Sequence, residues 1–273
     1  MKSILKLLRL AVGARRYYHW RTVWRAVRHD ADTFTAKGGE LSLSSLGHCH
    51  GTDKADADHT FAGLTYLDVY ERYLRELPSR GKDIAILEIG VREGASLRMW
   101  SDWFPDADIC GFDIDPSCKR FEESRIRIAI GSQDDPQLLR TAFPETSRFD
   151  LIVDDGSHIN SMTLAAFDVL FAERLKPGGL YIIEDLGCSY DRLQTDSDVR
   201  HQWPGMHYNR EGADLDNDRE DMDRFFLDRI NDIDHLRGDI LFLHFWSRIC
   251  ILKKRSDQGA TTADQIPNPE PSR

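Results

Sequence analysis

The stretch Ile86-Leu-Glu88-Ile-Gly90-Val-Arg-Glu-Gly94-Ala-Ser96 decides how the chain folds. Its first half, with Ile84 and Ala85 before it, is a short apolar run of the buried-strand type. Its second half opens a stretch in which Leu97, Trp100 and Phe104 fall on one helical face. Two glycines between strand and helix let the backbone come close to a ligand with no Cβ in the way. A pyrophosphate-binding turn would read Gly-x-Gly-x-x-Gly. Here the turn reads Gly-x-x-x-Gly behind an acid, Glu88, which suits a cationic or amine-bearing ligand better. Taken alone, Gly90 and Gly94 also fit a turn that merely permits close packing.

Outward from that turn the pattern repeats. Ile109–Ile114, Ile126–Ile130, Leu151–Asp155 and Leu180–Asp185 read as strands two to five. Leu64–Leu77, Ser96–Phe104, a stretch from Asp135 to the breaker Pro144, and a stretch of about 161–174 read as helices. The last of these stops at Lys-Pro-Gly-Gly, 176–179. Asp221–Ile233 resumes a helix, and Ile240–Phe245 with Ile249–Lys253 reads as a closing hairpin around Trp246-Ser-Arg248. Such alternation marks an α/β domain with a mostly parallel sheet covered by helices. The domain is placed at 46–255, after a basic, helical extension over 1–45 and before a Pro-rich disordered tail over 256–273. Residues 187–217 are polar and aperiodic, and a loop that long is usually functional.

Composition narrows the function. The 273 residues carry a net charge of -10, which argues against nucleic acid as a partner. Five cysteines without a Cys-x-x-Cys pair suit a reducing cytoplasm. No apolar run reaches the roughly 18–20 residues of a membrane span. The first 30 residues interleave Lys2, Lys6, Arg9, Arg15, Arg16, Arg21, Arg25 and Arg28 with apolar side chains. That pattern fits either a helix packed on its own domain or peripheral contact with an anionic membrane.

Ligands of doubly wound sheets bind beyond the carboxyl ends of the strands. Strand two ends in Asp113, placed to take ribose hydroxyls, and strand three in Ser132-Gln133-Asp134, polar groups where an adenine edge would lie. Strand four ends Asp154-Asp155-Gly156-Ser157-His158 and strand five Glu184-Asp185. Neighbouring strands would bring Asp155, Glu184 and Asp185 together, and clustered carboxylates resist ionising together without a cation. Hard oxygen donors without cysteine point to Mg²⁺, with Mn²⁺ or Ca²⁺ as alternatives. His158 is placed to take a proton from a hydroxyl nucleophile; the competing reading makes it a first-turn residue of a capped helix. His48-Cys49-His50 lacks a second ligand pair and reads as a loop. Trp203 and His207 sit in the long loop as solvated residues that could instead line an acceptor pocket.

Gly51-Thr-Asp-Lys54, Tyr66 to Tyr70, Leu87-Glu-Ile-Gly90, Gly94-Ala-Ser-Leu97, Gly111-Phe-Asp113, Val153-Asp-Asp-Gly-Ser-His158, Ile183-Glu-Asp185 and the closing Leu243-His-Phe-Trp246 together resemble one family. It is the Mg²⁺-dependent sugar O-methyltransferases of macrolide biosynthesis, the mycinamicin and tylosin type, with related enzymes that act on glycolipid sugars. The resemblance covers about 50–255 and implies a Rossmann-like class I methyltransferase fold: a mostly parallel seven-stranded sheet with a C-terminal antiparallel hairpin. It implies S-adenosylmethionine and Mg²⁺ as cofactors and a glycosylated small-molecule acceptor. By that resemblance Asp155, Glu184 and Asp185 are the metal ligands, and His158, with Asp155, is catalytic. Glu88, Gly90, Gly94, Ser96, Asp113, Ser132, Gln133, Asp134 and Asp154 would hold the cofactor, with Thr52 and Lys54 lying over it. Residues 1–45 and 187–217 depart from the family pattern. A catechol or polyketide alcohol as acceptor, or a non-catalytic nucleotide-binding partner of a biosynthetic complex, are the competing readings. A homo-oligomer is the expected assembly.

Overall fold

The computed structural model describes residues 42–56, 63–74, 77, 83–144, 146, 148–190 and 219–256. The basic segment before Ser42, the tail after Ser256, and Trp203 and His207 of the long loop lie outside the described residues.

Strand β1, Ala85–Ile89, is buried along its whole length because strands pack on both its edges and helices on both its faces. β2 (Asp108–Asp113), β3 (Ile126–Ile130), β4 (Phe149–Asp154) and β5 (Leu175–Ile183) run parallel to it. β6 (Ile240–Trp246) and β7 (Ile249–Lys254) form the hairpin, with β7 antiparallel to both β5 and β6. The seven strands lie in the order β3-β2-β1-β4-β5-β7-β6, so strand order reverses between β1 and β4. That reversal opens a crevice at the carboxyl ends, where such sheets bind ligands.

Alternation along the strands divides the core in two. Ile86, Ile109, Val153 and Ile182 point to one face, against α1 (Leu43–His50), α2 (Tyr66–Leu74) and α3 (Ala95–Trp103). Leu87, Cys110, Ile152 and Tyr181 point to the other, against α4 (Pro136–Thr141), α5 (Asn160–Val169) and α6 (Arg219–Asp234). The period of two places every second residue on the same side, and that rule continues into the loops that carry the chemistry.

Three sequence readings need correction. His48-Cys49-His50 is the last turn of α1 and not a loop. Ser42 caps the helix by accepting from Ser45 N at 3.1 Å, and Gly51, at φ 80°, closes it onto the carbonyls of Gly47 and His48. Those two caps outweigh the weak helix propensity of the segment. A domain boundary at residue 46 therefore falls inside a helix whose Leu43 is core. Lys-Pro-Gly-Gly, 176–179, ends the preceding helix, yet it remains in the sheet as the irregular start of β5, opposite a register shift in β4.

The turn after β1 is constrained on the side that faces β4. Gly90 has φ 92°, and a Cβ there would stand 2.0 Å from the carbonyl oxygen of Asp155. The bare Cα is thus required by the neighbouring loop after β4 as well as by the turn itself. Gly90→Ala is expected to destabilise the chain by about 3 kcal/mol or more, from left-handed strain plus a clash with backbone. Urea denaturation checks this, and a loss below about 1 kcal/mol would show that the loop yields easily.

Candidate active site

Glu88, Asp155 and Glu184 follow the strand alternation onto the α1–α3 side of the sheet, at the ends of β1, β4 and β5. Main-chain bonds extend the ladder to carry them: Asp155 N donates to Ile89 O at 3.0 Å and Glu184 N to Asp154 O at 3.0 Å. Into the space between the three carboxylates comes Lys54, from a single 3₁₀ turn, Asp53–Ala55, that follows α1. Its side chain is only 3% exposed. The ammonium donates to Asp155 Oδ2 and to Glu184 Oε2, the latter at 2.9 Å, and lies 3.4 Å from Glu88 Oε1. Glu88 also accepts from the Trp100 indole at 2.7 Å.

Lys54 was placed over the cofactor by sequence; the structure makes it the counter-ion of the acids. Burial alone would lower its pKa, but Asp155, Glu184 and Glu88 outweigh burial and hold it well above the usual lysine range. One ammonium does not balance three carboxylates. Burial, with the surplus negative charge added, pushes Glu184 well up and raises Asp155 and Glu88 as well.

On the far side of Asp155 lies a second group. Ligand atoms of Asp155, His158 and Asp185 all fall within 4.8 Å of one another, the one such cluster among the described residues. His158 Nε2 is 3.7 Å from Asp155 Oδ1 and 3.7 Å from Asp185 Oδ2. Both His158 (φ 56°) and Asp185 (φ 50°) are left-handed, a conformation that Asp and His tolerate better than most and that collects at functional sites. The Tyr66 hydroxyl donates to Asp185 Oδ1 at 2.7 Å and holds that carboxylate in place. Sequence reasoning did not anticipate this role for Tyr66, since nothing local marks a tyrosine of α2 as a partner of β5. Glu184 is turned toward Lys54 and stands outside the cluster of three.

The residues read as cofactor contacts divide into two sets. Asp113 Oδ2 accepts from the amides of Val91 and Arg92 at 2.8 and 3.1 Å, and Oδ1 from that of Asp115 at 2.8 Å. It therefore ties the glycine turn to β2 and keeps about one of its roughly four lone-pair positions for a further donor. Gly94 begins α3 at φ 69°, packed on Phe121. Ser132 and Asp134 bond each other on the rim. Glu88, Ser96, Thr52, Lys54, Gln133 and Asp154 are buried. Gln133 braces the β4 loop: its Oε1 accepts from Ser157 N at 2.8 Å, which aims its Nε2 at Asp154 Oδ1, 2.9 Å away. Asp154 itself points to the α4–α6 face, where the Tyr181 hydroxyl donates to it at 3.2 Å.

A doubly wound sheet with an antiparallel β6–β7 edge, and acids at the ends of β1, β4 and β5, defines the class I methyltransferase fold. Residues 87–186 match the family described as Methyltransferase domain. More particularly, the chain is 37% identical, over 54% of its length, to the 8-demethyl-8-alpha-L-rhamnosyl tetracenomycin-C 2'-O-methyltransferase of Streptomyces olivaceus, covering 38% of that protein. It is 36% identical, over 60% of its length, to the mycinamicin VI 2''-O-methyltransferase of Micromonospora griseorubida, again covering 38%. Among solved structures it is similar to the MycE methyltransferase of the mycinamycin biosynthetic pathway, solved in complex with Mg, SAH and mycinamycin VI. That match has TM-score 0.58 and 28% identity, covering 82% of this chain and 57% of the other. The chain spans less than two-fifths of the length of these curated relatives.

Burial raises Asp154 to about 7, against the bonds from the Gly156 amide, Tyr181 and Gln133. A carboxyl raised on folding stabilises the folded state while protonated. Its contribution is full below about pH 4 and is lost as pH rises through about 7. Thermal denaturation of chelator-treated protein between pH 5 and 8 should show stability falling with pH, and Asp154→Asn should flatten part of that slope. An unchanged slope in the variant would assign the dependence to the other acids alone.

Proposed function

We propose that the chain is an S-adenosylmethionine-dependent, Mg²⁺-assisted O-methyltransferase whose acceptor is a sugar hydroxyl of a glycosylated natural product or glycolipid. The observation that carries this reading is the convergence of Asp155, His158 and Asp185 within 4.8 Å at the ends of β4 and β5, beside the crevice. The names of the similar proteins support the acceptor class, since the relatives described above are O-methyltransferases of rhamnosyl- or macrolide-bearing compounds.

The donor set fits a hard divalent cation. It consists of carboxylate oxygens and one imidazole without cysteine, and the three acids Glu88, Asp155 and Glu184 share one lysine while Asp185 lies beyond it, beside His158. Asp155 and Asp185 would hold the metal, with Glu184 as the third carboxylate. When bound, Mg²⁺ supplies a Lewis acid that lowers the pKa of the acceptor hydroxyl. His158 takes the hydroxyl proton at Nε2 and is held beside both aspartates by its left-handed backbone. The oxygen–carbon bond forms as the sulfonium–carbon bond breaks, releasing the neutral thioether. Gly90, Gly94, Asp113, Ser132 and Asp134 would line the donor nucleoside. Glu88, Ser96, Thr52, Lys54, Gln133 and Asp154 would hold those loops in position from behind. The chain's task is positioning and proton removal, because the methyl group is already activated on sulfur.

S-adenosylhomocysteine should raise the melting temperature while NAD leaves it unchanged; the reverse would reject the donor assignment. His158→Ala should keep S-adenosylhomocysteine affinity yet lower turnover on rhamnosylated acceptors by about 10²–10⁴-fold, followed by methylated product in mass spectrometry. Turnover close to wild type would remove His158 as the base. Chelation of divalent metal should abolish product formation and added Mg²⁺ should restore it, so activity that persists in chelator would count against the carboxylate site.

A further inference from the structure

The three acids on the α1–α3 side share their cation unevenly. Lys54 donates one hydrogen bond to Asp155, through Oδ2, and one to Glu184, through Oε2. Asp155 Oδ1 stays on the opposite side, 3.7 Å from His158 Nε2. Glu184 Oε1 and Glu88 Oε1 are both buried, and the same ammonium stands 2.8 and 3.4 Å from them. Buried carboxylate oxygens are costly to leave unmatched, and here one ammonium serves three acids. Lys54 is itself fixed from outside the site. Gly51 turns the chain sharply off α1, Thr52 is buried, and Asp53 pairs with Arg92 of the glycine turn at 2.7 Å. The ammonium is therefore delivered by a rigid segment and is not a mobile surface lysine that has swung inward.

From this arrangement we infer that Lys54 is the positioning residue of the metal centre. By holding Oδ2 of Asp155 and both oxygens of Glu184, it fixes the rotation of both carboxylates and leaves Asp155 Oδ1 on the side of His158 and Asp185. It also supplies the positive charge without which Glu88, Asp155 and Glu184 would repel one another apart before the metal arrives. Outer partners of this kind orient ligands, and their removal typically weakens metal binding by about 10–100-fold. Lys54 touches neither of the reacting atoms in this account. The inference rests on the metal assignment proposed above, with Asp155 and Glu184 as ligands.

Mn²⁺ titrated into the full chain at a single pH, with free Mn²⁺ read by electron paramagnetic resonance, tests it. Lys54→Met keeps the unbranched stem without charge, and Lys54→Gln keeps a single neutral donor. Both should bind Mn²⁺ about 10–100-fold more weakly than wild type, a larger loss than any in their S-adenosylhomocysteine affinity. The Mg²⁺ concentration for half-maximal turnover should rise by the same factor, with kcat at saturating Mg²⁺ changed less. If Lys54→Met loses S-adenosylhomocysteine binding through misfolding, Lys54→Gln is read alone. Wild-type protein that binds Mn²⁺ while the variants bind it equally or more tightly overturns the role of Lys54. Wild-type protein that fails to bind Mn²⁺ overturns the metal assignment itself.

Discussion

A lysine ammonium with almost no access to water lies against carboxylates from three different strands, and the carboxyl end of the sheet is organised around it. Glu88, Asp155 and Glu184 are brought there by the alternation of β1, β4 and β5, which sends every second side chain to the same face. Buried like charges at that spacing repel unless a cation sits among them, so the sheet requires a positive group at this point. Lys54 meets the requirement from outside the sheet, and the helix cap at Gly51 and the turn after it exist in the geometry that delivers it. One ammonium against three carboxyl groups leaves a surplus of acid, and Asp155 passes it on to Asp185 across His158.

The opposite face of the same loop is held by different means. Asp154, one residue earlier, points away from Asp155 and into a neutral hydrogen-bonded set with Gln133 and Tyr181. Gln133 then reaches across to the Ser157 amide. The segment carrying His158 is thus gripped from both sides of the sheet, by charge on one face and by amide and hydroxyl bonds on the other. Such support is what allows His158 and Asp185 to keep left-handed backbones that an unsupported loop would relax. Gly90 belongs to the same device, since its missing side chain is the space into which the Asp155 carbonyl fits.

Much of this architecture was legible along the chain. The strand–turn–helix at Ile86–Ser96, the closing hairpin, and the acids at the ends of successive strands are local patterns, and each appears where the periodicity placed it. Readings that depended on one segment's neighbours fared differently. His48-Cys49-His50 lacks helical periodicity, but Ser42 and Gly51 cap it into α1. Lys-Pro-Gly-Gly has the composition of a breaker, and the pairs Phe149–Leu175 and Leu151–Leu180 on either side of it retain it in the sheet as an irregularity of β5. Gln133 reads as ligand-facing from its place after β3, and Asp154 from the family resemblance; the parity of β4, counted residue by residue, turns Asp154 to the other face from Asp155.

By itself the sequence determined the layer order, the crevice and the acidic endings of β1, β4 and β5, because the hydrophobic period of a strand and the breaking power of glycine act over a few residues. Only the tertiary structure decided which groups answer those acids. Lys54 is 101 residues from Asp155 and 130 from Glu184, and Tyr66 is 119 from Asp185. Partners that far apart are chosen by how helices pack on a sheet, a matter of three-dimensional complementarity that no local pattern encodes. The same packing decides that Asp155 Oδ1 and Asp185 Oδ2 face His158, away from Lys54.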